Sequence, residues 1–179
     1  MRFKVAIVGH SQVPTHIPIN DSVEIKIFRR SGAKLVHLQQ SPLRDVYNYR
    51  PNLCIFYMGG NDIAASDVDC REVIGNIRDA LLSLKAVAQK VVFVNIEERR
   101  YAVGNRHGVD TDTYNTHRKW VNSNLRRFLR INGIGTINVS GPWFASQSVD
   151  GVHFNKEAKR VLVRKICSYI QGSRDSNQV

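Results

Sequence analysis

Ser11, His153 and Asp150 are three side chains whose types and spacing suit one kind of chemistry. A serine hydroxyl attacks a carbonyl carbon effectively only when a base takes its proton. An imidazole, with an ordinary pKa of about 6.5, suits that task near neutral pH. The segment Asp150-Gly151-Val152-His153 sets a carboxylate three residues before the histidine. A turn of that spacing can bring the carboxylate to one ring nitrogen, fix the tautomer and leave the other nitrogen facing the serine. The charge that develops on the carbonyl oxygen needs donors prepared in advance. The backbone N–H groups of Ser11 and Gly32 and the Asn61 side-chain amide are the candidates, and glycine at 32 lets backbone and substrate approach closely. Together these residues would carry out nucleophilic acyl transfer. Singly each has a plainer role: a serine past a strand caps a turn, and a lone histidine sits on the surface.

The elements between these residues decide whether they meet. The first strand is expected over Phe3–Val8, where the apolar run Val5 to Val8 has no alternation and reads as buried on both faces, and it ends in Gly9-His10-Ser11-Gln12. Pro14 and Pro18 break the stretch that follows. Val23 to Phe28 alternates as a second strand and leads into Ser31-Gly32. A short helix is expected over Pro42–Tyr49 and a third strand over Leu53–Met58, running into Gly59-Gly60-Asn61-Asp62. The 3.6-residue period predicts a helix over Asp69–Gln89, then a strand over Lys90–Ile96 and a polar loop over Glu97–Asp110, long enough to cover a site. A second long helix is expected over Thr113–Ile131, with Trp120, Val121, Leu125, Phe128 and Leu129 as its apolar side. A fifth strand over Ile134–Val139, a loop over Ser140–Val149 and a last helix capped by Asn155 complete the chain.

Alternation of this kind predicts an α/β fold, a three-layer α/β/α sandwich around a parallel sheet of about five strands. We expect one domain over residues 1–172, then a polar, frayed tail over 173–179. All strand carboxyl ends then lie along one edge of the sheet. Ser11, Gly32, Asn61 and the Asp150–His153 segment converge there from distant parts of the chain.

Of 179 residues, 42% are hydrophobic and 23% charged, enough apolar content for one sizeable core. No apolar run is long enough to span a bilayer, and Met1-Arg2-Phe3-Lys4 leads into a strand rather than a signal-peptide pattern. Cys54, Cys70 and Cys167 have neither metal-ligand spacing nor an even number, so reduced thiols and an intracellular, cytoplasmic setting are expected. The formal net charge is +11. Lys119, Arg126 and Arg130 share one side of a helix as a basic stripe, which leaves RNA or DNA open as partners, and a lipid surface too. A solvated helical face is the plainer alternative. Arg99 and Arg100 read most simply as loop surface, with a place bordering the pocket after the fourth strand as the alternative. Trp143 and Phe144 line a cleft or pack in the core, and Asp62 reads as a hydrogen-bonding turn residue.

Gly9-His10-Ser11, Gly32, Gly60-Asn61-Asp62 and Asp150-Gly151-Val152-His153, in that order, resemble the sequence blocks of the SGNH (GDSL-type) hydrolase superfamily. The resemblance runs from Val5 to the final helix. It implies Ser11 as nucleophile, His153 as base, Asp150 as its orienter, and Ser11, Gly32 and Asn61 as oxyanion donors. It also implies a small acyl ester as substrate, hydrolysed through an acyl-enzyme, with no metal or organic cofactor. The family usually has aspartate where this chain has His10, so hydrogen bonding in that loop must differ; His10 reads as an inert turn residue. Small basic domains of this kind are similar to the esterase part of some retrotransposon first-open-reading-frame proteins. A nucleic-acid-associated binding module with little hydrolysis is therefore the alternative function. Acyl length and oligomeric state stay open.

Overall fold

The computed structural model describes residues 2–100 and 109–176. Five parallel strands form one sheet: β1 (Phe3–Gly9), β2 (Val23–Arg29), β3 (Leu53–Tyr57), β4 (Lys90–Val94) and β5 (Gly135–Ile137), in the spatial order β2-β1-β3-β4-β5. The helices are α1 (Val46–Tyr49), α2 (Cys70–Lys85), α3 (Thr111–Ile131), α4 (Pro142–Ser146) and α5 (Lys156–Asp175), with 3-10 turns at Leu35–Gln39 and Leu43–Asp45. Among the described residues no helix is long and apolar enough to cross a membrane.

The unbroken apolar runs of the central strands serve two faces, because successive side chains point to opposite sides. Ala6, Val8, Cys54, Phe56, Val91 and Phe93 pack in one core with the inner faces of α2 and α3. Val5, Ile7, Leu53, Ile55, Tyr57, Val92 and Val94 pack in a second core with Phe144, Phe154 and α5. The α/β/α sandwich and its five-stranded parallel sheet follow the expectation.

Particular elements differ from it. On α3 the inner series is Tyr114, Arg118, Val121, Leu125 and Leu129, at three- and four-residue steps. Trp120 falls outside that series and is 41% exposed. The expected loop over Ser140–Val149 contains α4, which begins with Pro142. Phe144 from it is buried against Phe154, while Trp143 stays largely exposed. Helix α5 continues through Gly172 to Asp175 rather than fraying there. Residues 101–108, including His107 and much of the expected covering loop, lie outside the described residues. The cysteines are free, Cys54 buried and the other two half-buried.

The strand order matters for function. The chain goes from β1 outward to β2, then returns across β1 to β3, so the connections leave β1 and β3 in opposite directions. Outside the carboxyl ends of those two strands lies the crevice where ligands bind in open α/β sheets. Ser11 follows β1, and Asn61 follows β3.

Candidate active site

Ser11 owes its position to the turn that leaves β1. A Cβ on Gly9 would stand 2.3 Å from the Tyr57 carbonyl oxygen and 2.6 Å from Val13 Cγ2, so only glycine lets β1 run this close to β3. The chain then folds back, with the Val13 N–H donating to the His10 carbonyl at 3.1 Å. The Gln12 N–H donates to His10 Nδ1 at 3.2 Å, which leaves the ring proton on Nε2. His10 is 3% exposed, with its ring 4.6 Å from that of Tyr57, and burial holds its pKa below the ordinary histidine value. It is thus a buried, neutral support under Ser11 rather than an inert turn residue. The Ser11 hydroxyl is half-buried and makes no hydrogen bond among the described residues.

The loops after β2 and β3 are joined to this turn and to each other. The Arg30 N–H donates to the Gly9 carbonyl at 3.1 Å, and the Ala33 N–H closes a turn on the Arg30 carbonyl at 3.2 Å. Gly32 takes φ = +66° in that turn, which favours glycine. The Asn61 side-chain amide donates to the Ala33 carbonyl at 3.0 Å and keeps a second N–H for another acceptor. Asp62 accepts from the Leu35 N–H at 3.0 and 3.2 Å and so anchors the 3-10 turn, the structural role expected of it. Burial pushes its carboxyl up to about 6, against the pull of that hydrogen bond.

Residues 147–155 fold into a tight loop closed by a Ser148–Phe154 bridge. The Val149 N–H donates to the His153 carbonyl at 2.8 Å, and the Asn155 N–H to the Gln147 carbonyl at 2.7 Å. His153 Nδ1 lies 2.7 Å from Asp150 Oδ2. The other oxygen, Oδ1, accepts from the backbone N–H groups of His153 and Val152 at 2.7 and 3.0 Å. Partial burial raises the Asp150 pKa, but the His153 and Val152 hydrogen bonds outweigh it and hold the carboxyl well below the usual carboxylate range. With the Nδ1–H donating to the Asp150 carboxylate, Nε2 is left with a free lone pair.

Gln12 connects the two halves of the site. Its amide donates to the Val152 carbonyl at 2.7 Å and its carbonyl accepts from the Phe154 N–H at 3.3 Å. The side chain next to Ser11 thus holds both backbone neighbours of His153. Sequence reading missed this role, because the partners lie 140 and 142 residues away. It also missed a buried polar layer made by His10, Tyr57, Glu97, Arg99 and Tyr114. Arg99, expected on the surface, is 5% exposed, with its guanidinium 3.9 Å from the Tyr114 ring centre. Asn115 pairs with both the N–H and the carbonyl of Arg99, and that fixes the residue inward. Arg100 alone of the pair is exposed.

Beside Ser11 opens a cleft of about 1100 Å³. A separate groove of about 570 Å³ lies between α3 and β5, and Lys119, Arg126 and Arg130 line it as one stripe. Among the described residues no group of three or more His, Cys, Asp or Glu side chains is placed to hold a metal ion.

No protein-family model and no curated protein matches the chain. Solved structures do match it. A Bacteroides fragilis protein assigned as an acylhydrolase superposes with a TM-score of 0.77 at 23% identity, over 96% of this chain and 88% of that one. A GDSL-like lipase from Bacteroides thetaiotaomicron gives 0.74 at 20% identity, over 96% and 89%. An acetyl esterase variant crystallised with acetate gives 0.72 at 15% identity, over 98% and 100%. The chain therefore has the fold of the SGNH (GDSL-type) hydrolases, with the segments that resemble their motifs gathered at the carboxyl edge of its sheet.

Proposed function

We propose that this protein is a serine esterase that hydrolyses short-chain, acetyl-type carboxylic esters through an acyl-enzyme. One observation carries the reading: the loop that carries the hydrogen-bonded Asp150–His153 pair is held at Val152 and Phe154 by Gln12, the residue next to Ser11 at the end of β1. A similar structure being an acetyl esterase supports the short acyl group.

In this mechanism the Ser11 hydroxyl attacks the ester carbonyl and His153 Nε2 takes its proton. Asp150 keeps the imidazole in the required tautomer and stabilises the imidazolium. The carbonyl oxygen becomes an oxyanion that accepts from the Ser11 and Gly32 N–H groups and from the second Asn61 amide hydrogen. Collapse breaks the bond to the alcohol, which leaves with the proton from His153. Water then repeats the sequence on the acyl-enzyme and releases the acid and free Ser11. The groove between α3 and β5 offers charge for a polyanion, and hydroxyls at Ser123, Thr136 and Ser140, but among its described residues no histidine or carboxylate to activate them, so hydrolysis is assigned to Ser11.

Ser11→Ala should lower turnover of p-nitrophenyl acetate by about a million-fold. A fluorophosphonate should label the wild type at Ser11. Wild-type turnover in Ser11→Ala would overturn the assignment.

A further inference from the structure

The cleft beside Ser11 has a chemical character that simple ester hydrolysis does not require. Its floor is apolar, with Val13, Pro14, Phe154 and Val163. Its rim carries five cationic side chains, Arg29, Lys156, Lys159, Arg160 and Arg164, against the single carboxylate of Glu157. That carboxylate is shared between Arg160 and Arg164, at 3.6 and 3.8 Å. Arg29, Lys156 and Lys159 form no ion pair among the described residues. Arg29 stands at the nucleophile itself, with its guanidinium donating to the Ser11 carbonyl at 3.4 Å.

These charges are costly where they stand. Lys156, Lys159 and Arg160 crowd the opening turns of α5, where the helix's own partial positive charge favours carboxylates. Like charges around one concavity also repel one another, a repulsion that salt screens because the α5 side chains are exposed. An anionic occupant removes both penalties.

The position of the cleft says which half of the substrate it takes. Its walls include Ser11 together with Val149 and Phe154, which flank the Asp150–His153 segment, so it adjoins the imidazole loop without His153 lining it, and neither Gly32 nor Asn61 belongs to it. The alcohol leaves from the side where His153 delivers its proton, opposite the oxyanion donors. We infer that the natural substrates are acyl esters of anionic alcohols, phosphorylated or carboxylated, whose negative group is held by the cationic rim formed by Arg29 and the start of α5. This inference rests on the esterase reading and names its substrate class.

The test compares 1-acetylglycerol with 1-acetylglycerol 3-phosphate, following acetate release at low salt, with p-nitrophenyl acetate as control. Wild type should hydrolyse the phosphorylated ester with a kcat/KM about tenfold higher, as two or three exposed ion pairs would give. That advantage should vanish at about 0.5 M NaCl, where charges are screened within a few ångströms. The double variant Lys156→Gln/Arg160→Gln should lose it too, while hydrolysis of 1-acetylglycerol and p-nitrophenyl acetate stays at wild-type level. Equal rates for the two glycerol esters, or a phosphorylated ester that inhibits without turning over, would overturn the substrate class. So would turnover of p-nitrophenyl acetate alone. In each of these the esterase reading survives. Undiminished hydrolysis by Ser11→Ala would remove the esterase reading itself, and the substrate class with it.

Discussion

Truncating Gln12 tests whether one buried amide sets the geometry of the site. In Gln12→Ala the Val152 carbonyl and the Phe154 N–H both lose their partner, previously at 2.7 and 3.3 Å. Phe154 is buried and Val152 half-buried, so water replaces at most one of the two bonds well. An orphaned buried backbone group costs about 1–3 kcal/mol, so a loss of about 2–4 kcal/mol is expected for the pair. For a chain of this size that lowers Tm by roughly 5–15 °C. The catalytic effect follows from position rather than stability. With the strut gone, His153 can drift relative to Ser11, and a displacement of about 1 Å lowers kcat about a hundredfold. KM should change less than kcat, since the oxyanion donors and the α5 side of the cleft do not depend on the amide, although Gln12 and Phe154 themselves line it. Gln12→Met keeps nearly the same volume and removes both hydrogen bonds, so it separates lost contacts from an empty space. Thermal unfolding and hydrolysis of p-nitrophenyl acetate measure both effects. A Gln12→Met protein with wild-type Tm and kcat would refute the claim that this side chain positions the base.

Two further predictions concern the frame of the site. Gly9→Ala places a methyl group 2.3 Å from a backbone oxygen of the neighbouring strand, which has no rotamer with which to yield, so urea unfolding should show a loss of about 3 kcal/mol or a failure to fold; an unchanged midpoint would contradict the packing at this turn. Asp62 keeps its proton to about pH 6 in the folded protein but releases it near pH 4 when unfolded. Between those values the folded state binds more protons, so this group's contribution to stability falls as pH rises. Asp62→Asn still accepts from Leu35 and should stabilise by of order 2 kcal/mol at about pH 8 and by little at about pH 4; equal effects at both would contradict the burial penalty.

The strands and the convergence of Ser11, Gly32, Asn61 and His153 were legible because buried parallel strands read as unbroken apolar runs and their order dictates one functional edge. The short elements were not. The Leu35–Gln39 turn is anchored by Asp62, a partner 27 residues away, and has no pattern of its own. Trp120 misled because hydrophobicity alone places it inside, whereas the three- and four-residue steps from Tyr114 exclude it. Arg99 reads as surface by charge; an aromatic ring and an asparagine on α3 turn it inward. Gln12 and His10 carry no local signal, since every partner outside their own turn comes from another strand or from the far end of the chain. The Asp150–His153 contact was readable, being made within four residues.

The sheet divides the parts of the proposed site between its two sides. Ala33, Leu35 and Ile63, beside Gly32 and Asn61, belong to the core under α2 and α3, whereas Phe154 and Ala158, beside the His153 loop, belong to the core under α5. Ser11 stands on the partition. On the proposed esterase reading, partial melting of one layer would end turnover while half of the site remained assembled, and warming should extinguish turnover some degrees before the central strands give up their amide protection.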